Sequence, residues 1–159
     1  MNIAVIGGCG YVGLITGLGF AELGHRVTAI DADGERVALH QGGGTHIYED
    51  GLPELLRQLL DGGGIRFTTE MASGIADADV IFVAVGSPTG IDGAADLSQV
   101  TGVTSDLASS APSGAVIVVK STVPIGAIEK MSRAINERNS GAGSPEIIVN
   151  PEFLSEGNG

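Results

Sequence analysis

The sequence predicts an α/β fold, a doubly wound parallel sheet of about six strands with helices on both faces. Three observations carry that expectation. Apolar runs of four to seven residues alternate with helical patterns along the chain. The runs are rich in Val and Ile and nearly continuous, as strands buried on both faces should be. Between the first run and the first helical pattern lies Gly8-Cys9-Gly10-Tyr11-Val12-Gly13, a G-x-G-x-x-G loop. Strand–helix alternation implies parallel pairing with right-handed crossovers.

In chain order the expected strands are Ile3–Ile6, Arg26–Ile30, Ile65–Thr68, Val80–Val85, Ala115–Val119 and Glu146–Val149. The expected helices are Tyr11–Leu23, Glu35–His40, Pro53–Leu60, Glu70–Ala76, Leu97–Ala108 and Pro124–Glu137. Local chemistry marks the boundaries. Gly24 is a helix stop, Asp33 an N-cap and Pro124 a first-turn residue. Residues 42–44, 62–64 and 140–144 are loops. The leucines from Leu52 to Leu60 form one packed helix face.

Length and composition narrow the function classes. The 159 residues fit a single domain, 1–159, and 43% of them are apolar. No run approaches the ~20 apolar residues of a membrane helix. Met1-Asn2 leads straight into a strand with no basic leader, so no signal peptide is expected. The net charge is −11, and Lys120 and Lys130 are the only lysines. That balance argues against nucleic acid or an anionic membrane as partner. A single cysteine suits a reducing cytoplasm. His25, His40 and His46 have no ligand-like spacing, and no metal is expected.

The glycine spacing has a physical meaning. The first glycine permits a sharp strand-to-helix turn, the second lets a pyrophosphate approach the backbone, and the third lets helix and strand pack closely. The pyrophosphate then sits at a helix N-terminus. Asp31 ends the second strand 23 residues after Gly8, close to the ~20 expected for the acid that binds the ribose 2′-hydroxyl. A carboxylate there would repel a 2′-phosphate, which favours NAD over NADP. Arg36 works the other way, because a nearby arginine can accept that phosphate. Two later loops, Val85-Gly86-Ser87-Pro88-Thr89 and Ser121-Thr122, also follow strands and can face the same crevice. Asp92 and Asp96 read as turn and helix-cap residues. Tyr11 either packs or approaches the cofactor.

Several segments together resemble the UDP-glucose/GDP-mannose dehydrogenase family. They are Gly10-Tyr11-Val12-Gly13-Leu14, Ile47-Tyr48-Glu49-Asp50-Gly51-Leu52, Ala78–Thr89, Asp92–Leu97, Lys120-Ser121-Thr122-Val123-Pro124-Ile125-Gly126 and Asn150–Gly157. The resemblance is collinear over nearly the whole chain, and Val-Pro with no intervening leucine is similar to the UDP-glucose branch. It implies a Rossmann-like NAD-binding domain, with the family's central and C-terminal domains absent from this chain. It also implies that Gly8, Gly10, Tyr11, Val12, Gly13, Asp31, Arg36, Val85, Gly86, Ser87, Ser121, Thr122 and Glu156 bind NAD. Thr122 would position a reacting water and Glu152 would activate it. Glu152, Phe153, Leu154, Ser155 and Glu156 would touch a nucleotide sugar, UDP-glucose being favoured. Ser155 stands where arginine or alanine is more usual.

Members of that family oxidise a primary alcohol to an acid with two NAD, through a cysteine thioester. Cys9 lies in the glycine loop, where its neighbours would face the pyrophosphate rather than the nicotinamide, and is a poor candidate for that nucleophile. The chain ends at Gly159, ahead of the position where the family's cysteine falls. The expectation is therefore a domain that binds NAD without turnover, taken from an enzyme that is a homodimer or higher oligomer. A GDP-mannose or UDP-N-acetyl-sugar dehydrogenase, and a non-catalytic NAD-sensing module, are the alternatives. The family usually has one residue between the first two glycines of the loop. Here Gly8-Cys9 takes that place, so either Gly7 or Gly8 can serve as the tight-turn glycine, and Gly8 is the expectation because it keeps phase with Gly10 and Gly13.

Overall fold

The computed structural model describes residues 1–91, 93–138, 143–155 and 157. Six strands and six helices follow in the order β1 (Asn2–Ile6), α1 (Tyr11–Glu22), β2 (Arg26–Ile30), α2 (Gly34–Gln41), α3 (Leu52–Asp61), β3 (Ile65–Thr68), α4 (Met71–Ile75), β4 (Val80–Val83), α5 (Ser98–Ser110), β5 (Val116–Val119), α6 (Ala127–Arg138) and β6 (Glu146–Val149). The strands form one sheet in the order β3-β2-β1-β4-β5-β6, and every pairing is parallel. The order reverses between β1 and β4, which is where open α/β sheets bind ligands at the carboxyl ends of their strands.

Alternation along each strand explains why the apolar runs are continuous. Successive side chains point to opposite faces. Ile3 and Val5 join Leu14, Leu18, Val27, Leu56, Phe67 and Phe82 in one core. Ala4 and Ile6 join Ile81, Val83, Ile117, Leu107 and Ile135 in the other. Helices α1 and α3 cover the first face, and α4, α5 and α6 the second. Gly17 of α1 faces the sheet, where a Cβ would stand in ordinary contact, 3.4 Å from Val27 Cγ1. Leu14, Leu56, Leu107 and Ile135 are wholly buried, and truncating any of them to alanine costs about 2–5 kcal/mol.

The element boundaries follow local chemistry. Asp33 caps α2, with Oδ1 accepting the Glu35 and Arg36 N–H groups at 3.0 and 3.1 Å. Gly24 takes φ +89 and ends α1 as expected. Four expectations need correction. β4 stops at Val83, not Val85: Ala84 N–H makes a last bond to Ile6 O at the end of β1, and Lys120 N–H and Ser121 N–H both turn in to Val83 O. β5 begins at Val116, one residue late. Pro124 lies in a turn before α6, since Gly126 at φ +88 leaves the helical path and the helix begins only at Ala127. β6 is paired only with β5, and its Ile148 and Val149 stay half exposed, so burial on both faces fails at this edge. Asp92 and much of the 140–144 loop lie outside the described residues.

Candidate functional site

The glycine loop is shaped by backbone contacts that no side chain could share. Gly7 turns the chain at φ +78, and a Cβ there would stand 2.6 Å from Ala84 O. Gly7 N–H and Gly8 N–H both donate to Ile30 O, at 2.9 and 3.0 Å. Gly7 is therefore the tight-turn glycine, which corrects the expectation placed on Gly8. Gly8 is buried beneath the turn, where a Cβ would meet Ala29 Cβ at 2.7 Å. Its place in the loop is packing, so it does not line the crevice. At Gly13 a Cβ would come within 2.1 Å of Gly7 O, which presses α1 against the loop. Gly10 differs from these three: its nearest neighbour, Gly7 O, would be 3.5 Å from a Cβ. Its outer side is open, as close approach of a ligand to the backbone requires.

Beside this loop, at the carboxyl ends of β1, β2, β4 and β5, lies a cleft of ≈ 940 Å³. That is within the ~300–1,000 Å³ of small-molecule sites. Gly10, Tyr11, Val12, Asp31, Arg36, Val85, Gly86, Ser87, Ser121, Thr122 and Glu152 all line it. Segments from both halves of the chain thus meet at one place. The open face of α1 there presents first-turn N–H groups and the positive end of the helix dipole, which suit an anion.

Asp31 is held by the loop it serves. Its Oδ2 accepts Cys9 N–H at 3.0 Å and its Oδ1 accepts Asp33 N–H at 3.1 Å. These bonds fix the carboxylate at the end of β2 and leave lone pairs on each oxygen for a ribose hydroxyl. Arg36 Nε lies 3.1 Å from Asp33 Oδ2, so its charge is engaged within its own helix turn. Cys9 is fully buried. Desolvation first, and then the Asp31 charge, push its thiol up to about 12, so it stays protonated and unreactive.

On the other side, hydroxyls join the strand-end loops. Ser87 Oγ donates to Thr122 O at 2.5 Å, and Ser121 Oγ donates to Val85 O at 2.7 Å. Lys120 Nζ donates to Asn150 Oδ1 at 3.1 Å. Glu152 Oε2 accepts Leu154 N–H at 2.6 Å. Phe153 is 94% exposed, and Phe153, Leu154 and Ser155 do not line the cleft. Glu156 lies outside the described residues.

The cleft also contains residues that the sequence reading passed over: Gln99, Asp106 and Lys120. Gln99 Oε1 accepts Gly86 N–H at 3.2 Å. Gln99 and Asp106 lie on α5, about two turns apart, but nothing in the sequence shows which face of that helix meets the β4 loop. Lys120 carried a signal, as one of two lysines in an acidic chain, placed at a strand end. Among the described residues no group of three or more His, Cys, Asp or Glu could hold a metal ion. No helix among them is long and apolar enough to cross a membrane.

Comparison with known proteins gives a consistent picture. The chain is 44% identical over 160 residues to UDP-glucose 6-dehydrogenase of Pseudomonas aeruginosa, covering 99% of this chain and 35% of that protein. It is 43% identical over 157 residues to UDP-glucose 6-dehydrogenase YwqF of Bacillus subtilis, covering 99% and 36%. The chain thus spans about a third of the length of these relatives. A solved UDP-glucose dehydrogenase from Pyrobaculum islandicum superposes with a TM-score of 0.87 at 38% identity, over 99% of this chain and 37% of that one. A ternary complex of GDP-mannose dehydrogenase from Pseudomonas aeruginosa superposes at 0.89 with 28% identity, over 98% and 37%. The model of the UDP-glucose/GDP-mannose dehydrogenase family, NAD binding domain, matches residues 1–159, and the chain belongs to that family.

Proposed function

We propose that residues 1–159 are the NAD-binding unit of a longer, cytoplasmic, oligomeric enzyme that oxidises a nucleotide sugar, UDP-glucose being the favoured substrate. The observation that supports this most is the single cleft that joins the Gly7–Gly13 turn and Asp31 to Ser87, Ser121, Thr122 and Glu152. NAD, when bound, accepts hydride from the alcohol carbon. Gly10 and the first turn of α1 would take its pyrophosphate, and Asp31 its adenosine ribose. Asp31 repels a 2′-phosphate while Arg36 is occupied by Asp33, which supports NAD over NADP. Val85, Gly86 and Ser121 would line the far part of the dinucleotide. Thr122 and Glu152 stand at the cleft where a water could be held and deprotonated. Val123-Pro124 and the 44% and 43% identical relatives support UDP-glucose over GDP-mannose or UDP-N-acetyl sugars.

The 159-residue chain binds NAD without turnover, because its one cysteine is buried in the glycine loop. Calorimetric titration with NAD and NADP tests the first part. NAD binding with a clear preference over NADP is expected, and equal or better NADP binding overturns it. Assay of the complete polypeptide on a panel of UDP-glucose, GDP-mannose and UDP-N-acetyl sugars tests the second. Brisk UDP-glucuronate formation by the isolated 159-residue chain would refute the third.

A further inference from the structure

We propose that Tyr11 is a positioning residue that couples the cofactor site to the sugar-nucleotide segment, an inference that rests on the function proposed above. Tyr11 opens α1, lines the cleft beside Gly10 and Val12, and packs against the core under the first face of the sheet. Its hydroxyl donates to Ser155 O at 2.9 Å, across 144 residues of sequence. One side chain thus belongs to the turn that would receive a pyrophosphate and also grips the segment that carries Glu152.

Among its described residues that segment is mostly exposed. Pro151, Phe153, Leu154 and Ser155 are exposed, so burial contributes little to its position. Hydrogen bonds set its course instead. At its root Asn150 N–H donates to Val119 O at 3.0 Å, and Lys120 Nζ donates to the Asn150 side chain. At its far end the grip passes to the first half of the fold. Tyr11 holds Ser155, and the buried carboxylate of Glu49 accepts Gly157 N–H at 2.5 Å. Glu49 lies just before α3 and is itself seated in the first half. The segment therefore spans from β5 to α1 and the loop ahead of α3.

A ligand that orders the first turn of α1 also orders Tyr11, and Tyr11 orders Ser155. The second ligand then meets a segment already in place, and the coupling is the same in both directions. One net hydrogen bond sets its scale at roughly 3–10-fold in affinity.

The complete polypeptide provides the test. NADH and UDP-glucose form a non-reacting pair, so both dissociation constants can be read by titration. In the wild type, saturating UDP-glucose should tighten NADH by roughly 3–10-fold, and NADH should tighten UDP-glucose by the same factor. In Tyr11→Phe both factors should fall toward one while the melting temperature is kept. Glu49→Gln retains an acceptor oxygen for Gly157 and should preserve the coupling. A wild-type factor of one, or an unchanged factor in Tyr11→Phe, overturns the inference while NADH binding leaves the proposed function standing. A wild type that fails to bind NADH overturns both.

Discussion

The two halves of the sheet build their share of the cleft in opposite ways. In the half made by β1, β2 and β3, the functional geometry is the packing. Gly7, Gly8 and Gly13 each lie where a Cβ would overlap backbone or a buried methyl. Asp31 and Asp33 each accept two backbone N–H groups. In the half made by β4, β5 and β6, the cleft residues sit on strand-end loops tied by side-chain hydrogen bonds of Ser87, Ser121 and Lys120, and of these Ser121 is buried. Large apolar side chains stand in solvent there: Ile91, Ile125 and Phe153 are essentially fully exposed. The first half cannot lose its site geometry without losing its fold. The second can, since its site residues carry few of the fold's buried contacts.

Glycine substitutions give the sharpest separation. Gly13→Ala drives a methyl to 2.1 Å from Gly7 O. Overpacking there should cost about 3 kcal/mol or more, lowering Tm by roughly 6–12 °C and abolishing NAD binding. Gly10→Ala has room for its methyl, so Tm should stay within about 1–2 °C while NAD affinity falls roughly 10–100-fold. Thermal melts with NAD titration decide it. Equal loss of Tm in both variants would erase the distinction between a packing glycine and a ligand-facing one.

The second half should behave the other way. In the complete polypeptide, Glu152→Gln should lower kcat roughly 100-fold, the scale of a lost general base, with Tm and NAD affinity unchanged. A Tm drop of several degrees would show that this loop is part of the fold's support after all. Asp31→Asn lies between these extremes, because the carboxylate both faces the cleft and bonds Cys9 and Asp33 N–H. A roughly 10-fold loss of NAD affinity and about 1 kcal/mol of stability are expected, with discrimination against NADP narrowed. Paired NAD and NADP titrations of this variant measure it.

The sheet was legible in the sequence because buried parallel strands need unbroken apolar runs, and this chain interrupts them with glycine, proline and Asp33. Asp31 and Gly10 were legible because a strand–turn–helix fixes the distances between them. The tight-turn glycine was not. Gly7 and Gly8 are adjacent, and which one takes positive φ depends on Ile30 O receiving both N–H groups, a contact between distant segments. Gln99 was hidden for a similar reason: its role rests on Gly86 N–H arriving from another loop. The tie from Tyr11 to Ser155 runs between the two ends of the chain, and no local pattern encodes it.

His40 is the exception within the first half, and it gives the smallest predicted effect. It lies in α2, is wholly buried, and both ring nitrogens lack a hydrogen-bond partner among the described residues. Its ring packs 5.1 Å from Phe67 and 5.3 Å from His46. Burial first, and then His46, lower its pKa below the usual histidine value. The folded state therefore holds His40 neutral, whereas the unfolded chain takes up a proton near pH 6.5. The unfolded state binds more protons, so stability is constant above that pH and is lost as the pH falls below it. His40→Leu removes both the titration and the unpaired polar atoms. Its Tm should exceed the wild type by about 2–4 °C near neutrality, for ~1 kcal/mol, and the gap should widen between pH 6.5 and 5. Melting curves across that range test the point. A gap that narrows as the pH falls would mean His40 is charged in the fold, and would place an unseen acceptor beside it.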